Sequence, residues 1–207
     1  LLPFARQALL VAQQIDRRVG DPAAFAGVLR IGAVGVVAGG LLPKLLVELR
    51  RRYPNLRLKA YVRLAHVLAT MLEDGDIDMA LITAPFAVVD VETAPIGQDS
   101  FVWAASPGLG LPAGPLTAAD LARWPILSFP EESHHSANIE RWFVRGGGVY
   151  APAAVSDRME VLADLAVAGV GVALLPRERY AGLFASGALL AVDVRPGLPP
   201  VELAAIY

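Results

Sequence analysis

The chain has 207 residues, 55% of them hydrophobic, no cysteine and a formal net charge of −2. The lack of cysteine excludes disulfides, thiolate metal ligands and thiol nucleophiles from these residues, and the near balance of charge argues against a nucleic-acid-binding surface. No apolar run reaches the roughly 18 residues that a membrane span needs, and no charged and apolar leader opens the chain, so we expect a cytoplasmic protein.

The first predicted element is a helix over residues 1–18. Apolar side chains recur every three or four residues from Phe4 to Ile15, which is the spacing of a helix that packs on a partner helix. Gly20 and the residues that follow it end this helix.

Residues 29–61 predict a strand, a helix and a second strand. Leucines recur at helical spacing between Leu41 and Leu49 while charged side chains occupy the other face, so the central segment is an amphipathic helix. Pro43 fits the first turn of this helix, and Pro54 ends it because the residue before a proline is pushed out of helical geometry. Two strands joined through such a helix run parallel.

The loop of small residues between the first strand and the helix, residues 33–40, is predicted to line a ligand cleft. In open parallel sheets, ligands bind at the carboxyl ends of the strands, beside the starts of the following helices. Backbone N–H groups at such a position suit a carboxylate.

The remaining elements of the first half follow the same alternation. A helix over residues 64–72 ends at Gly75, and a buried strand over residues 77–83 completes a βαβαβ order. Residues 92–105 form an extended stretch that is expected to carry the chain from one lobe to another. Turn residues crowd together over residues 106–115, which makes this segment the best candidate for a lobe boundary.

The second half repeats the α/β alternation. Thr117 and Asp120 predict a capping box at the start of a short helix. Asp157 and Glu160 predict a second one, at the start of a helix that buries Val161. The predicted helices cover residues 117–123, 137–145 and 157–169, and the predicted strands cover residues 125–129, 170–175, 189–194 and 201–207. The last two strands are expected to return the chain to the first lobe.

Six pieces of the sequence carry a resemblance to a known family. They are LLPFARQAL from Leu1, LRIG from Leu29, LLPKLLVELRRRYPNLRL from Leu41, LEDGDIDMALI from Leu72, LADLAVAGVGVALLP from Leu162 and GALLAV from Gly187. In this order and spacing they resemble the effector-binding domain of LysR-type transcriptional regulators, and the resemblance covers nearly the whole chain.

The resemblance implies an α/β fold with two Rossmann-like lobes joined by two crossover strands, similar to a type 2 periplasmic binding protein. It implies that residues 1–20 end a linker helix, that residues 21–104 and 190–207 form lobe I, and that residues 105–189 form lobe II. It also implies a small organic ligand between the lobes and a winged helix-turn-helix domain before Leu1, through which DNA is bound and to which lobe closure is transmitted. A homodimer is expected for this chain and a homotetramer for the full-length protein.

The resemblance further implies which loops face the ligand. The residues expected to do so are Val34, Gly35, Val36, Arg63, Leu64, His66, Thr83, Pro85, Phe129, Ser133, His134 and Ser156. The family usually offers a serine or threonine after the first strand, whereas this chain has only apolar residues and glycine there. Arg63 either holds a ligand carboxylate or is a solvated arginine at a strand end. This set is rich in donors, so the expected ligand is a carboxylate or sulfonate.

Other chemistries find little support in the sequence. His134 and His135 are adjacent, and adjacent residues rarely direct both rings at one ion, so no metal or cofactor is predicted. No nucleophile, base and acid set is recognisable, so no enzymatic activity is predicted. A solute-binding protein of a transport system, which shares the fold, is the alternative function.

Overall fold

The computed structural model describes residues 26–83 and 91–207, which form two compact units. Unit 1 comprises the described residues up to Asp99 together with Val201–Tyr207, and unit 2 comprises Ser100–Pro200. The predicted linker helix of residues 1–20 and Pro85 lie outside the described residues.

Unit 1 is a five-stranded sheet with three helices. Its strands are β1 (Gly27–Ala33), β2 (Leu56–Val62), β3 (Met79–Thr83), β4 (Thr93–Asp99) and β10 (Val201–Ile206). Its helices are α1 (Gly35–Ala38), α2 (Leu42–Arg52) and α3 (Ala65–Glu73). The strand order is β2-β1-β3-β10-β4, in which β1 is parallel to both β2 and β3 while β10 is antiparallel to its neighbours. The predicted βαβαβ order is confirmed.

The leucine face of α2 builds much of this core. Leu45 and Leu49 are fully buried, and Tyr53, at which the helix ends, is fully buried as well. Pro43 lies in the first turn, as predicted. The sequence did not predict α1, a single helical turn inside the expected loop of residues 33–40.

Unit 2 is a second five-stranded sheet, with four helices. Its strands are β5 (Phe101–Ala105), β6 (Ile126–Ser128), β7 (Pro152–Val155), β8 (Val172–Pro176) and β9 (Leu190–Val192). Its helices are α4 (Ala118–Leu121), α5 (His134–Arg145), α6 (Met159–Val167) and α7 (Ala181–Ala185). The strand order is β7-β6-β8-β5-β9; β6 is parallel to β7 and β8, and β5 is antiparallel to β8 and β9.

The boundaries between the units differ from the predicted ones at residues 105 and 189. Strand β5 pairs with β8 and with β9, so that Trp103 lies between Leu174 and Val192 in the sheet of unit 2. The chain therefore changes unit at Ser100, and only β10 of the last two strands returns to unit 1. The expectation that residues 189–194 belong to the first lobe was wrong, because pairing with β5 holds β9 in the second sheet.

Of the two predicted capping boxes, one forms. The Thr117 side chain accepts the Asp120 N–H, and the Asp120 carboxylate accepts the Thr117 N–H. The predicted box of Asp157 and Glu160 is wrong, because α6 begins one residue later than expected, after Arg158.

One residue of α6 is not buried as expected. Met159 is buried, whereas Val161, which was expected inside, is 39% exposed. Helix α7 was not predicted at all. None of the helices in residues 26–83 and 91–207 has the length and apolar character needed to cross a membrane.

Candidate functional site

In unit 1, the predicted ligand residues follow the carboxyl ends of three neighbouring parallel strands. Strand β1 lies between β2 and β3, and the residues after each strand therefore meet at one edge of the sheet. The described residues brought to this edge are Val34, Gly35, Val36, Arg63, Leu64 and Thr83. His66 lies in the first turn of α3 and is exposed.

The loop after β1 offers fewer backbone donors than expected. The Val34 N–H donates to the Leu81 carbonyl oxygen at 3.0 Å, and the Val37 N–H donates to the Val34 carbonyl oxygen at 2.9 Å. Both N–H groups are thus used within the protein: that of Val34 by the neighbouring strand β3, and that of Val37 by the short helix α1 that replaces the expected open loop. The Val34 side chain is buried, whereas that of Val36 is half-buried.

Arg63 is the exposed cation of this edge. Its backbone N–H donates to the Ala33 carbonyl oxygen at 3.2 Å, which ties the end of β2 to the end of β1. Its Nη1 atom donates to the carbonyl oxygen of Val62 at 2.8 Å, so the guanidinium turns back over its own strand. Leu64 is the extended residue before α3, and Thr83 ends β3 with its side chain half-buried.

Unit 2 repeats this arrangement at the carboxyl ends of β6 and β7. Phe129 follows β6, Ser133 and His134 start α5, and Ser156 follows β7. The Ser156 N–H donates to the Ser128 carbonyl oxygen at 3.0 Å, so the ends of the two strands are joined. Ser133 caps α5, because its Oγ accepts the His135 N–H at 3.3 Å. Ser156 lies two residues before the N-cap of α6, Arg158, and its Oγ accepts the Arg158 N–H at 3.1 Å.

Phe129, which was expected to face the ligand, is buried within unit 2. Its ring packs edge-on against the buried ring of His135 with centroids 5.0 Å apart, and His135 also contacts Phe101 at 4.8 Å. The sequence reasoning chose His134 of the histidine pair and missed His135. Helical spacing carries the missed signal, because His135, Ile139 and Trp142 share the inner face of α5.

A group of hydroxyls beneath the start of α5 was also missed. The Tyr150 hydroxyl makes hydrogen bonds with Ser128 Oγ and, at 3.0 Å, with Ser136 Oγ. Ser128 and Ser136 are buried, and Tyr150 is half-buried. Tyr150 is 22 residues from Ser128 and 14 from Ser136 along the chain, so no local sequence pattern predicts this cluster.

An ion pair lies where α6 begins and β8 ends. Arg179 is paired with Glu160, and its guanidinium carbon lies 5.4 Å from the centroid of the Tyr180 ring. Burial alone would raise the pKa of Glu160, but its own backbone N–H and Arg179 lower it overall. Burial raises the pKa of Tyr180. The carboxyl-end edge of unit 2 thus carries an ionised glutamate whose negative charge is balanced by two arginines, Arg158 and Arg179.

Metal-ligating geometry is not found in the described part of the chain. No group of three His, Cys, Asp or Glu side chains there could hold a metal ion. The edges described above offer hydroxyls, backbone donors and guanidinium groups, which suits hydrogen bonding to anions and carbonyl groups.

Comparison with known proteins identifies the family. Residues 22–207 match the family model described as the LysR substrate binding domain. The chain belongs to this family. The predicted resemblance to LysR-type regulators is confirmed, and so is the fold class of two α/β units similar to a type 2 periplasmic binding protein.

Two similar LysR-related sequences have regulatory names. One is a probable hydrogen peroxide-inducible genes activator from Mycobacterium leprae (strain TN), 32% identical over 86% of this chain and 58% of its own length. The other is the HTH-type transcriptional regulator YofA from Bacillus velezensis, 29% identical over 82% of this chain and 56% of its own length. The chain therefore spans somewhat more than half of the length of these relatives.

A solved structure has the same fold. The effector-binding domain of QuiR in complex with shikimate superposes with a TM-score of 0.75 at 12% identity, covering 88% of this chain and 87% of the QuiR chain. At this identity the likeness concerns the fold of the LysR substrate-binding domain.

Proposed function

We propose that this chain is the effector-sensing domain of a LysR-type DNA-binding transcriptional regulator and that its effector is a small organic anion. The observation that carries the proposal is the convergence of three parallel-strand ends at one edge of unit 1, in a chain that belongs to the LysR substrate-binding family. The equivalent edge of unit 2 supplies the second set of contacts. In parallel α/β sheets, this end of the strands is where ligands bind.

The charges at these edges favour an anion. Arg63 is exposed after β2, and Arg158 is exposed at the start of α6. The described residues that directly follow β1 and β2 include no Asp or Glu. In unit 2, Glu131 and Glu132 are exposed, and we expect them to face water. Shikimate, with which the QuiR domain is in complex, is itself a carboxylate, which agrees with this choice.

The signal passes from the ligand to DNA through other parts of the regulator. Binding that engages loops of both units stabilises one arrangement of the domain, and this change is transmitted to an N-terminal winged helix-turn-helix domain. DNA is contacted through that domain, because these 207 residues carry a net charge of −2. The chain acts as a homodimer in the cytoplasm, within a homotetramer of the full-length regulator, and performs no catalysis.

Peroxide sensing by thiol oxidation is not the function we propose, despite the name of the Mycobacterium leprae relative. The 207 residues contain no cysteine, so they cannot form a sulfenic acid or a disulfide. A transport solute-binding protein would share the fold, but the family model that matches is that of the LysR regulators.

Titration calorimetry with three related probes tests the choice of ligand class. Benzoate, benzamide and benzylamine each carry one polar group on a phenyl ring, with a negative, zero and positive charge, respectively. We expect measurable binding of benzoate or of shikimate, weaker binding of benzamide and none of benzylamine. Preferential binding of benzylamine would overturn the proposal.

A further inference from the structure

The hydroxyl cluster of Ser128, Ser136 and Tyr150 has one more O–H donor than the hydrogen bonds within it use. Its three hydroxyls carry three protons, and two hydrogen bonds join them. These bonds use two protons, whichever atoms donate. No further hydrogen bond from these three hydroxyl groups occurs within residues 26–83 and 91–207. One O–H group is therefore left to find an acceptor outside the cluster.

Burial decides which of the three hydroxyls carries the remaining proton. Ser128 is fully buried, Ser136 is 3% exposed, and only Tyr150 is half-buried. A buried O–H without an acceptor is destabilising. The favourable arrangement has Ser128 and Ser136 both donating to the Tyr150 oxygen, so that the phenol proton points away from them.

The packing around Tyr150 holds its ring in this position. The ring stacks on Phe143 of α5 with centroids 5.7 Å apart and an interplanar angle of 29°. The chain reaches Tyr150 through a tight turn after α5, in which Gly147 has a φ of 70°. A Cβ on Gly148 would lie 2.7 Å from the Ala118 carbonyl oxygen, so the turn packs against α4. The three glycines after α5, residues 146–148, therefore end this helix and also bring the chain back to its first turn, where Ser136 lies.

We propose that Tyr150 is a ligand-binding residue, oriented by Ser128 and Ser136 to donate one hydrogen bond to a carboxylate or carbonyl oxygen of the effector. This inference rests on the proposed function and adds a contact residue that the sequence did not reveal. The cluster lies at the carboxyl end of β6, because Ser128 is the last residue of that strand. Two of the residues predicted to contact the ligand in unit 2, Ser133 and Ser156, lie in the adjoining loops.

Calorimetry with benzoate and shikimate on three proteins tests the inference. The proteins are the unchanged chain, Tyr150→Phe, which keeps the ring stacked on Phe143, and Tyr207→Phe. Tyr207 serves as the matched control, because it follows β10 beside the amino end of β3. We expect Tyr150→Phe to weaken binding of the carboxylate about tenfold or more, since a hydrogen bond to a charged group is lost. Tyr207→Phe is expected to bind like the unchanged chain.

The outcomes separate this inference from the proposed function. Binding of a carboxylate by the unchanged chain with equal affinity in Tyr150→Phe overturns the role of Tyr150 alone. If the unchanged chain binds neither carboxylate, the proposed ligand class fails, and neutron diffraction of crystals exchanged into D2O decides the inference. We expect the hydroxyl deuterium atoms of both serines to point at the Tyr150 oxygen. If the Tyr150 deuterium instead points at either serine, Tyr150 has no O–H group free to donate to a ligand, and the inference is overturned.

Discussion

A Cβ atom on Gly32 would lie 2.5 Å from the Cδ2 atom of Leu68. Gly32 is in β1, Leu68 is fully buried on α3, and the missing side chain lets this helix approach the sheet. The same Cβ would lie 2.8 Å from Cδ1 of Ile77, which is buried as well, so neither neighbour can move into open space.

Gly32→Ala is therefore expected to lower the free energy of unfolding by about 1–3 kcal/mol through overpacking. Gly27→Ala in the same strand is the control, because nothing lies within 4 Å of a Cβ there, and we expect a change within about 0.5 kcal/mol. Urea denaturation measures both variants. Equal stabilities would contradict the close packing of α3 on β1.

The sequence predicted the elements whose cause is local. Pro43, Pro54 and the Thr117–Asp120 capping box act within a few residues, and the structure has each where it was expected. The alternation of strands and helices predicted both α/β units for the same reason, because hydrophobic periodicity is a local property.

Features that depend on distant partners were missed. The sequence analysis assigned most of strand β5 to the first lobe. The sheet to which β5 belongs is determined by its pairing with β8, some 70 residues later in the chain, which no local pattern shows. Val34 was expected to present its N–H to a ligand, but Leu81 accepts it. The role of Tyr150 depends on Ser128 and Ser136, which no spacing rule connects to it.

We expect a homodimer in solution in which α2 meets α5 of a partner, as the resemblance to LysR regulators implies. Val47 of α2 is 71% exposed and Val144 of α5 is 66% exposed, which is costly for apolar side chains that remain in water. Val47→Lys and Val144→Lys should each shift the protein toward monomer in sedimentation velocity at micromolar concentration. The control is Val161→Lys on α6. A monomeric unchanged chain, or equal behaviour of all three variants, would contradict this interface.

The acid stability of α2 should depend on Glu48. Hydrogen bonds from Arg51 and then Arg52, both with N to O distances of 2.7 Å, lower the pKa of Glu48 from 4.5 to about 2. Because the folded-state pKa is lowered, this stabilisation is present above pH 4.5 and is lost as the pH falls toward 2.

Unfolding experiments between pH 7 and pH 3 test this dependence. Glu48→Gln should lower the free energy of unfolding by about 0.2–1 kcal/mol at pH 7, the usual range for ion pairs at a protein surface, and by progressively less below pH 4.5. Glu73→Gln on α3 is the control, because Glu73 makes no ion pair within the described residues. If the loss of unfolding free energy caused by Glu48→Gln stays constant or grows as the pH falls, the lowered pKa of Glu48 is contradicted.

Arg63 should contribute to ligand affinity, although its guanidinium now contacts Val62. Arg63→Ala is expected to weaken binding of the tighter of benzoate and shikimate by about 1.5–3 kcal/mol if the side chain meets the carboxylate. Arg57→Ala is the matched control, since Arg57 is also exposed on β2 but lies near its amino end. Calorimetry measures the affinity of both variants for the carboxylate. If Arg63→Ala binds as tightly as Arg57→Ala, Arg63 is not part of the ligand site.

Hydrogen exchange with and without the tighter-binding carboxylate locates the ligand directly. The amides after the parallel strands of both units, residues 34–38, 63–66, 129–136 and 156–159, should exchange more slowly when the ligand is bound. Residues 74–78, before β3, should be unaffected. Protection of these carboxyl-end loops is the result we expect; protection confined to the amino-end loops, or no change in either set at saturating ligand, would contradict a ligand site at the strand ends.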